Sequence, residues 1–536
     1  MPDAIEQQLP AGKRQRSSAA PASATGVQAP VRLHPWYLTD DFILPYRAAF
    51  TNSELPSSFT IAEPTGGSGQ GSIIAHPFHT GKLLNVFPPT FLHGLKSELG
   101  SLNWHERSND LYSFHQTDDL ALNGHHHIKA LRDYMAGEEF VTFMENITGT
   151  RLTRGYLDLA AQRYKKGNHL LCHDDDVHRG KLARRIAYII YLVDDQWSVD
   201  DGGALGLFGN DHNKHPTEVL SRITPEFNSL GFFLTGLISY HTVEEVTVND
   251  PSRERWSVTG WFYGPVDEPD CSTSASVDSI LPAPLSPSLL PALEPFTATD
   301  LASSDSGDCA EWSKWVNPDY LKPSLRDQIC DSFLDQSSIE LRHFLRTEMY
   351  DQIISETKSS DFWSTASLKG PTHLRKYLEA TPSSDSTPKL FDLARFLCSA
   401  SFARLLTALT SIDFVNASQQ LRKFEHGHYT LIHDQVPEPF GLDVTLSLQP
   451  HAEGSDQSSW IESWGGATHY IADKDELLRI NPEPNSLSLV LRDEGTLRFV
   501  KFLNHTASQS RQEISMVFTM PPSSESDDDD DDNDST

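Results

Sequence analysis

The stretch "HLLCHDDDVHRG", His169 to Gly180, sets three histidines and three consecutive aspartates behind a short apolar run. It reads either as an exposed acidic turn or as one side of a metal site. If the chain stays extended through "NHLLCHD", alternate side chains share a face, so His173 and Asp175 point one way while Cys172 and Asp174 point the other. One imidazole and one carboxylate then converge. These are two of the three ligands of the 2-His-1-carboxylate arrangement that leaves coordination positions open on Fe(II). Asp174, Asp176 and His178 are left as surface or supporting residues.

A third ligand and an anchor for a co-substrate are expected downstream. His241 follows the apolar run "GFFLTGLIS", and Arg255 opens "RWSVTGWFYG". On a strand Arg255 and Ser257 share a face, where a guanidinium binds a dicarboxylate bidentately and a hydroxyl adds a hydrogen bond. Tyr164 and Tyr191, on two further strand-like runs, are candidate phenol donors to the same carboxylates. A zinc hydrolase would need three ligands and a general base, and would leave Arg255 with Ser257 unexplained.

The 536 residues are enough for two or three domains. Residues 1–30, rich in Ala, Ser, Pro and Gln, read as a disordered arm. Residues 31–265 read as one folded domain. In its first part "PTFLHGLKSELGSL" and "HIKALRDYMAGEEFVTFMENITG" carry apolar residues at helical spacing. From "YLDLAAQRY" onward, short apolar runs such as "RRIAYIIYLV", "GALGLFG" and "LGFFLTG" alternate with Gly, Asp and Asn, as in an antiparallel β-sandwich or barrel. Residues 266–310 form a Pro/Ser/Ala-rich linker, residues 311–520 a second folded segment, and residues 521–536 an acidic tail. "TGGSGQGS" lacks the Lys-Ser/Thr ending of a phosphate cradle and is assigned to a flexible loop. "GHHH", Gly124 to His127, is assigned to a polar loop between helices.

The formal charge is −31, and removing the eight acids of "ESDDDDDDNDST" leaves −23. Nonspecific binding to nucleic-acid phosphate is thereby disfavoured, no direct DNA binding is expected, and a basic protein partner is favoured. The five cysteines are scattered and odd in number, which suits a reducing compartment. No apolar leader and no membrane-length run is present, so cytoplasm and nucleus are expected. "KRQR" reads equally as a nuclear import signal and as a solvated basic patch.

The motifs together resemble a family. H-x-D, a distal His and Arg-x-Ser, in this order on strands, are similar to the double-stranded β-helix dioxygenases that use Fe(II) and 2-oxoglutarate. "LLCHDD", "RRIAYIIYLV", "DGGALGLF" and "RWSVTGWF" resemble in particular the ribosomal-protein prolyl hydroxylases. The resemblance implies an α+β fold of two tandem double-stranded β-helix (jelly-roll, cupin-like) domains with flanking helices. It implies iron on His173, Asp175 and His241, and 2-oxoglutarate held by Arg255 with Ser257, Tyr164 and Tyr191. It also implies O2 as co-substrate, ascorbate as a support, and hydroxylation of a proline in a basic small-subunit ribosomal protein of the decoding centre (uS12-like). Effects on translation termination and accuracy and on oxygen-responsive regulation follow from the same likeness. A carboxylate at Asp175 argues for hydroxylation, since no ligand position is vacated for a halide. The competing reading is an oxygen-sensing binding protein that acts on regulatory partners through its C-terminal domain.

That C-terminal segment echoes the first. "YTLIHDQ" parallels "HLLCHDD", "WGGATHYI" parallels "DGGALGLF", and "RQEISMVF" parallels "RWSVTGWF". Aligned on His433, Gln435 stands for the carboxylate and Phe424 for Tyr164; His505 and Arg511 remain for His241 and Arg255, but stand six apart where those stand fourteen apart. A neutral amide and a missing phenol weaken both metal and co-substrate binding, so the repeat reads as a noncatalytic β-helix. The resemblance agrees.

Overall fold

The computed structural model describes residues 31–266 apart from 56–57, residues 290–297, and residues 306–521 apart from 359–361, 382–388, 433–439, 451–459 and 474. The N-terminal arm, "KRQR", most of the linker, the acidic tail, His433 and Gln435 lie outside these. The chain divides into two compact units, Met1–Ala283 with Pro371–His373, and Pro284–Gly370 with Leu374–Thr536. Both are α+β and dominated by antiparallel strands.

In the first unit a strongly crossed-over sheet runs, at its centre, in the order Thr80–Leu84, Ser229–Leu234, Leu182–Tyr191, Arg255–Pro265 and Ala160–Tyr164. It continues through Tyr112–Gln116 to His169–His173, His241–Val243, Leu205–Asn210 and Pro216–Ile223. Period-2 alternation decides which side chains face which way. Ile186, Tyr188, Ile190, Val258 and Phe262 pack in one cluster with Phe42, Leu92, Leu95, Leu131 and Phe140 of the helices Asp40–Phe50, Pro89–Gly100, His126–Met135 and Glu138–Thr148. The intervening Ala187, Ile189 and Tyr191 belong to a separate interior cluster with Leu205, Leu207 and Phe233. The same alternation sends Arg255 and Ser257 to the interior face. Of "GHHH", Gly124 and His125 lie in a loop as assigned, but a helix begins at His126, where Glu98 Oε2 accepts the first-turn amides of His127 (2.8 Å) and Ile128 (3.1 Å).

The second unit has a sheet ordered Ser338–Arg342, Ser486–Arg492, Gly441–Ser447, Arg511–Thr519 and Asn416–Phe424, then Arg375–Ala380 and Ser367–Lys369. A separate three-stranded sheet runs Asp475–Ile480, Thr468–Ala472, Leu497–Val500. Leu442, Val444, Leu446, Ile514, Met516 and Phe518 meet the helices Lys389–Leu397 and Ala400–Thr410 in one core. Within the stretch read as linker, Glu294–Pro295 pairs with Asn416 and Ala417, and the helix Ser306–Trp315 starts before residue 310. No single helix among the described residues is long and apolar enough to cross a membrane.

Candidate active site

Strand His169–His173 ends at His173, so alternation does not carry Asp175 to the facing position. Asp175 instead takes a left-handed backbone conformation, φ 63°, uncommon for a residue with a side chain and tolerated best by Asp and Asn. This turn brings its carboxylate back to the histidine. His241 opens the strand His241–Val243 and stands directly opposite His173 in the ladder. The three converge: His173 Nε2 lies 3.6 Å from Asp175 Oδ1, His241 Nε2 lies 3.2 Å from Asp175 Oδ2, and the imidazole rings are 4.1 Å apart. Among the described residues no other group of three metal-ligating side chains comes together.

The backbone sets the tautomers. Nδ1 of His173 is 2.8 Å from the Leu171 carbonyl, and Nδ1 of His241 is 2.8 Å from the Ser239 carbonyl. A carbonyl only accepts, so each Nδ1 carries a proton and each Nε2 faces the centre, as metal-binding imidazoles require. Burial lowers the His241 pKa, but the hydrogen bond to Asp175 and that carboxylate's charge outweigh burial and raise it. Burial, then the neighbouring His241, lower the pKa of His173 to about 4, which keeps it neutral. Burial pushes Asp175 up, but His173, His241 and Arg184 outweigh it and hold the carboxylate ionised.

Two residues in contact with Asp175 were not singled out from sequence. Trp261 Nε1 donates to Asp175 Oδ2 at 3.0 Å, and the Arg184 guanidinium lies 3.5 Å from the Trp261 ring centroid and 3.8 Å from Asp175 Oδ1. Trp261 was legible, since it shares the inward parity of Arg255 and Ser257. Arg184 sits near the start of an apolar strand, where nothing in the local pattern marks it.

Arg255 is 1% exposed. Its Nε donates to the Gly203 carbonyl at 2.7 Å, its Nη1 lies 3.4 Å from Ser257 Oγ, and the Tyr164 and Tyr191 rings each lie 5.1 Å from its guanidinium carbon. Gly203, φ 68°, has to be glycine: a Cβ there would stand 2.7 Å from Arg255 Cδ. Tyr164 contributes its ring, since its hydroxyl donates to Gln162. Arg255 Nη2 and the Tyr191 hydroxyl are buried without a hydrogen-bonded partner in the protein. Unpaired buried donors are costly, and a carboxylate ligand would satisfy both. The donor set thus fits an open Fe(II) site with a dicarboxylate anchored beside it.

Comparison with known proteins agrees. Residues 159–263 match the 2OG-Fe(II) oxygenase superfamily, and residues 308–529 match the family described as oxoglutarate and iron-dependent oxygenase degradation C-term. The chain is 32% identical to the prolyl 3-hydroxylase OGFOD1 of Xenopus laevis over 81% of this chain and 83% of that protein. The chain belongs to this iron- and 2-oxoglutarate-dependent prolyl hydroxylase family. The mouse prolyl 3-hydroxylase OGFOD1 is 31% identical, over 77% of this chain and 82% of that protein. The prolyl 3,4-dihydroxylase OGFOD1 of Ostreococcus tauri is 27% identical, over 80% and 92% respectively. The protein is therefore an oxidoreductase whose cofactor is Fe(II) and whose co-substrate is 2-oxoglutarate.

Parts of the second unit carry the strand register of the first. Arg511 stands opposite Phe424 as Arg255 stands opposite Tyr164. The sequence reading takes His505 as the counterpart of His241. The ladder corrects this: Arg498 pairs with Tyr470 as His241 pairs with Leu207, whereas His505 lies beyond the strand Leu497–Val500. A guanidinium, salt-bridged to buried Asp443 at 2.9 Å, thus stands where the first unit has an imidazole.

Proposed function

We propose that this protein hydroxylates a prolyl residue of a basic small-subunit ribosomal protein of the decoding centre (uS12-like). It would act in cytoplasm and nucleus and bear on translation termination and accuracy. The observation that carries the chemistry is the convergence of His173, Asp175 and His241 beside a buried arginine with an unpaired donor. In this reading His173, Asp175 and His241 hold Fe(II), and Arg255 binds the far carboxylate of 2-oxoglutarate with help from Ser257 and Tyr191. Iron and 2-oxoglutarate supply the oxidising power that places one oxygen atom of O2 on an unactivated C–H bond. The chain's own residues orient. Trp261 and the left-handed turn hold the Asp175 carboxylate, the two carbonyls hold the imidazole tautomers, and the Tyr164 ring shields the guanidinium from water, which strengthens its hold on a carboxylate.

Charge supports the protein substrate. A body that keeps −23 without its acidic tail attracts a strongly basic partner, and the encounter weakens as salt screens it. The names of the relatives support proline as the residue modified. We further read the two units as tandem double-stranded β-helices, the second without iron. Mass spectrometry of the decoding-centre protein from cells with and without this enzyme tests the substrate. An oxygen-sized mass difference on one proline is expected, and an identical proline mass in both removes the substrate while leaving the dioxygenase chemistry.

A further inference from the structure

In the second unit the arginine equivalent to Arg255 has no unpaired donor. Arg511, 3% exposed, gives Nη1 to the Gly466 carbonyl (2.5 Å), Nη2 to Thr468 Oγ1 (2.7 Å) and Nε to Glu513 Oε2 (2.7 Å). The other carboxylate oxygen, Glu513 Oε1, accepts from Arg422 Nε at 2.8 Å. Glu513 stands opposite Arg422 and Ser447, just as Ser257 stands opposite Gln162 and Tyr191. So where the first unit has a serine beside its arginine, the second has a carboxylate on a side chain two methylenes long. The cleft directly beside Arg511 and Glu513, lined also by Thr445, Ser447 and Thr468, measures about 10 Å³, room for a single water, although a cavity of about 530 Å³ lined by Arg422, Thr430, Thr445, Thr468 and Arg498 adjoins it.

We propose that Arg511 is a carboxylate-binding site whose ligand is built into the chain, the Glu513 carboxylate taking the place that a co-substrate carboxylate takes on Arg255. The inference rests on reading Arg255 as the co-substrate anchor. It makes the second unit self-liganded, indifferent to 2-oxoglutarate, and open to a free carboxylate only when Glu513 is shortened. The geometry explains why Arg422 accompanies Glu513: one carboxylate between two guanidiniums uses both oxygens, which a buried ion needs to offset its desolvation.

The test uses the full-length protein with Glu513→Ser and Arg422→Gln together, restoring the Ser–Gln pair of the first unit and leaving one guanidinium, as there. The probe is acetate, the size of the group removed. All proteins in this test also carry Arg255→Ala, so that acetate cannot act at that arginine. Acetate is then expected to raise the unfolding temperature of the variant in a saturable way, to leave the parent unmoved at matched ionic strength, and to lose its effect when Arg511→Ala is added. No saturable acetate response, or one that survives Arg511→Ala, overturns the proposal. If the double variant does not fold, Glu513→Ala alone decides by the same measurement, because acetate replaces what that change deletes. The underlying reading is checked separately: 2-oxoglutarate should protect the wild type but not Arg255→Ala, and protection that persists in Arg255→Ala refutes the anchor itself whatever acetate does at Arg511.

Discussion

Arg255 and Arg511 open equivalent strands, each beside a Gly-Gly turn, yet their surroundings differ in one chemical respect. Around Arg255 are two tyrosine rings, a serine and an unpaired Nη2. Around Arg511 are a carboxylate, a threonine and a second guanidinium. Two further features recur in both units. Asn228, φ 59°, gives and receives one hydrogen bond with the Phe87 backbone, and Asn485, φ 49°, does the same with Leu345. Trp197 Nε1 donates to the Gly202 carbonyl and Trp460 Nε1 to that of Gly465. A buried arginine must be satisfied by something. That partner can arrive from solution, giving a binding site, or from the same strand, giving an arginine already satisfied within the chain.

The sharpest break between the units should appear in turnover. Asp175→Ala should abolish succinate formation from 2-oxoglutarate while the fold persists, because this residue sits in a turn at a strand end. Arg498→Ala, at the position of His241 in the other unit, should leave turnover per folded molecule unchanged. Metal analysis of the wild type should find one Fe(II) per chain. Two equivalents of comparable affinity would erase the distinction.

The paired arginines come next. Arg255→Ala should raise the KM for 2-oxoglutarate by an amount corresponding to about 2–5 kcal/mol, the usual cost of truncating one partner of a buried charge pair. Arg511→Ala should leave that KM unchanged and instead cost about 1.5–3 kcal/mol of stability, since it strips Glu513 Oε2 of its charged partner while Arg422 still holds Oε1. Both are read by steady-state kinetics and urea unfolding. A KM effect from Arg511→Ala would contradict the self-liganded reading.

Acid separates the units more gently. Burial pushes the Glu513 carboxyl up, but Arg511 and Arg422 outweigh it and hold its pKa below the ordinary value. A folded-state pKa below the unfolded one adds stability that is present above the unfolded value of about 4 and is lost as pH falls through the folded one. Unfolding midpoints measured from pH 7 to pH 3 should therefore fall in the wild type at the acid end and fall less in Glu513→Gln, whose amide does not titrate. Equal acid slopes in the two proteins would show that Glu513 is not the group lost.

Much of this was legible in the letters. Parity along "RRIAYIIYLV" and "RWSVTGWF" already separates the helix-facing residues from Arg255, Ser257 and Tyr191, because a strand's period of two admits no intermediate. The H-x-D pair was legible in identity but not in mechanism: a left-handed turn at Asp175, rather than strand alternation, closes the site, and no propensity announces it. His505 stands six residues before Arg511 where His241 stands fourteen before Arg255, a mismatch that spacing already shows and that only register resolves. The relation among Leu207, His241, Tyr470 and Arg498 exists only once the ladders form. Glu513 stood in plain view in "RQEISMVF" and passed unnoticed, since a glutamate near an arginine is unremarkable until both prove buried.

The smallest expected effect tests how far the shared scaffold serves the site. Trp197→Phe and Trp460→Phe each delete one indole donor to a glycine carbonyl, at 3.1 Å and 2.8 Å respectively. A neutral hydrogen bond contributes about 1 kcal/mol, so both variants should lose about that much in urea unfolding. Their catalytic consequences should differ. The Gly202–Gly203 turn that Trp197 braces presents the Gly203 carbonyl to Arg255 Nε at 2.7 Å, and loosening it frees the guanidinium to rotate away from an incoming carboxylate. Trp197→Phe should therefore raise the KM for 2-oxoglutarate while leaving kcat near its original value, and Trp460→Phe should change neither. If both variants leave KM alone, the Gly-Gly turn is only inherited architecture; if both raise it, the second unit influences the co-substrate pocket and the division drawn between Arg255 and Arg511 fails.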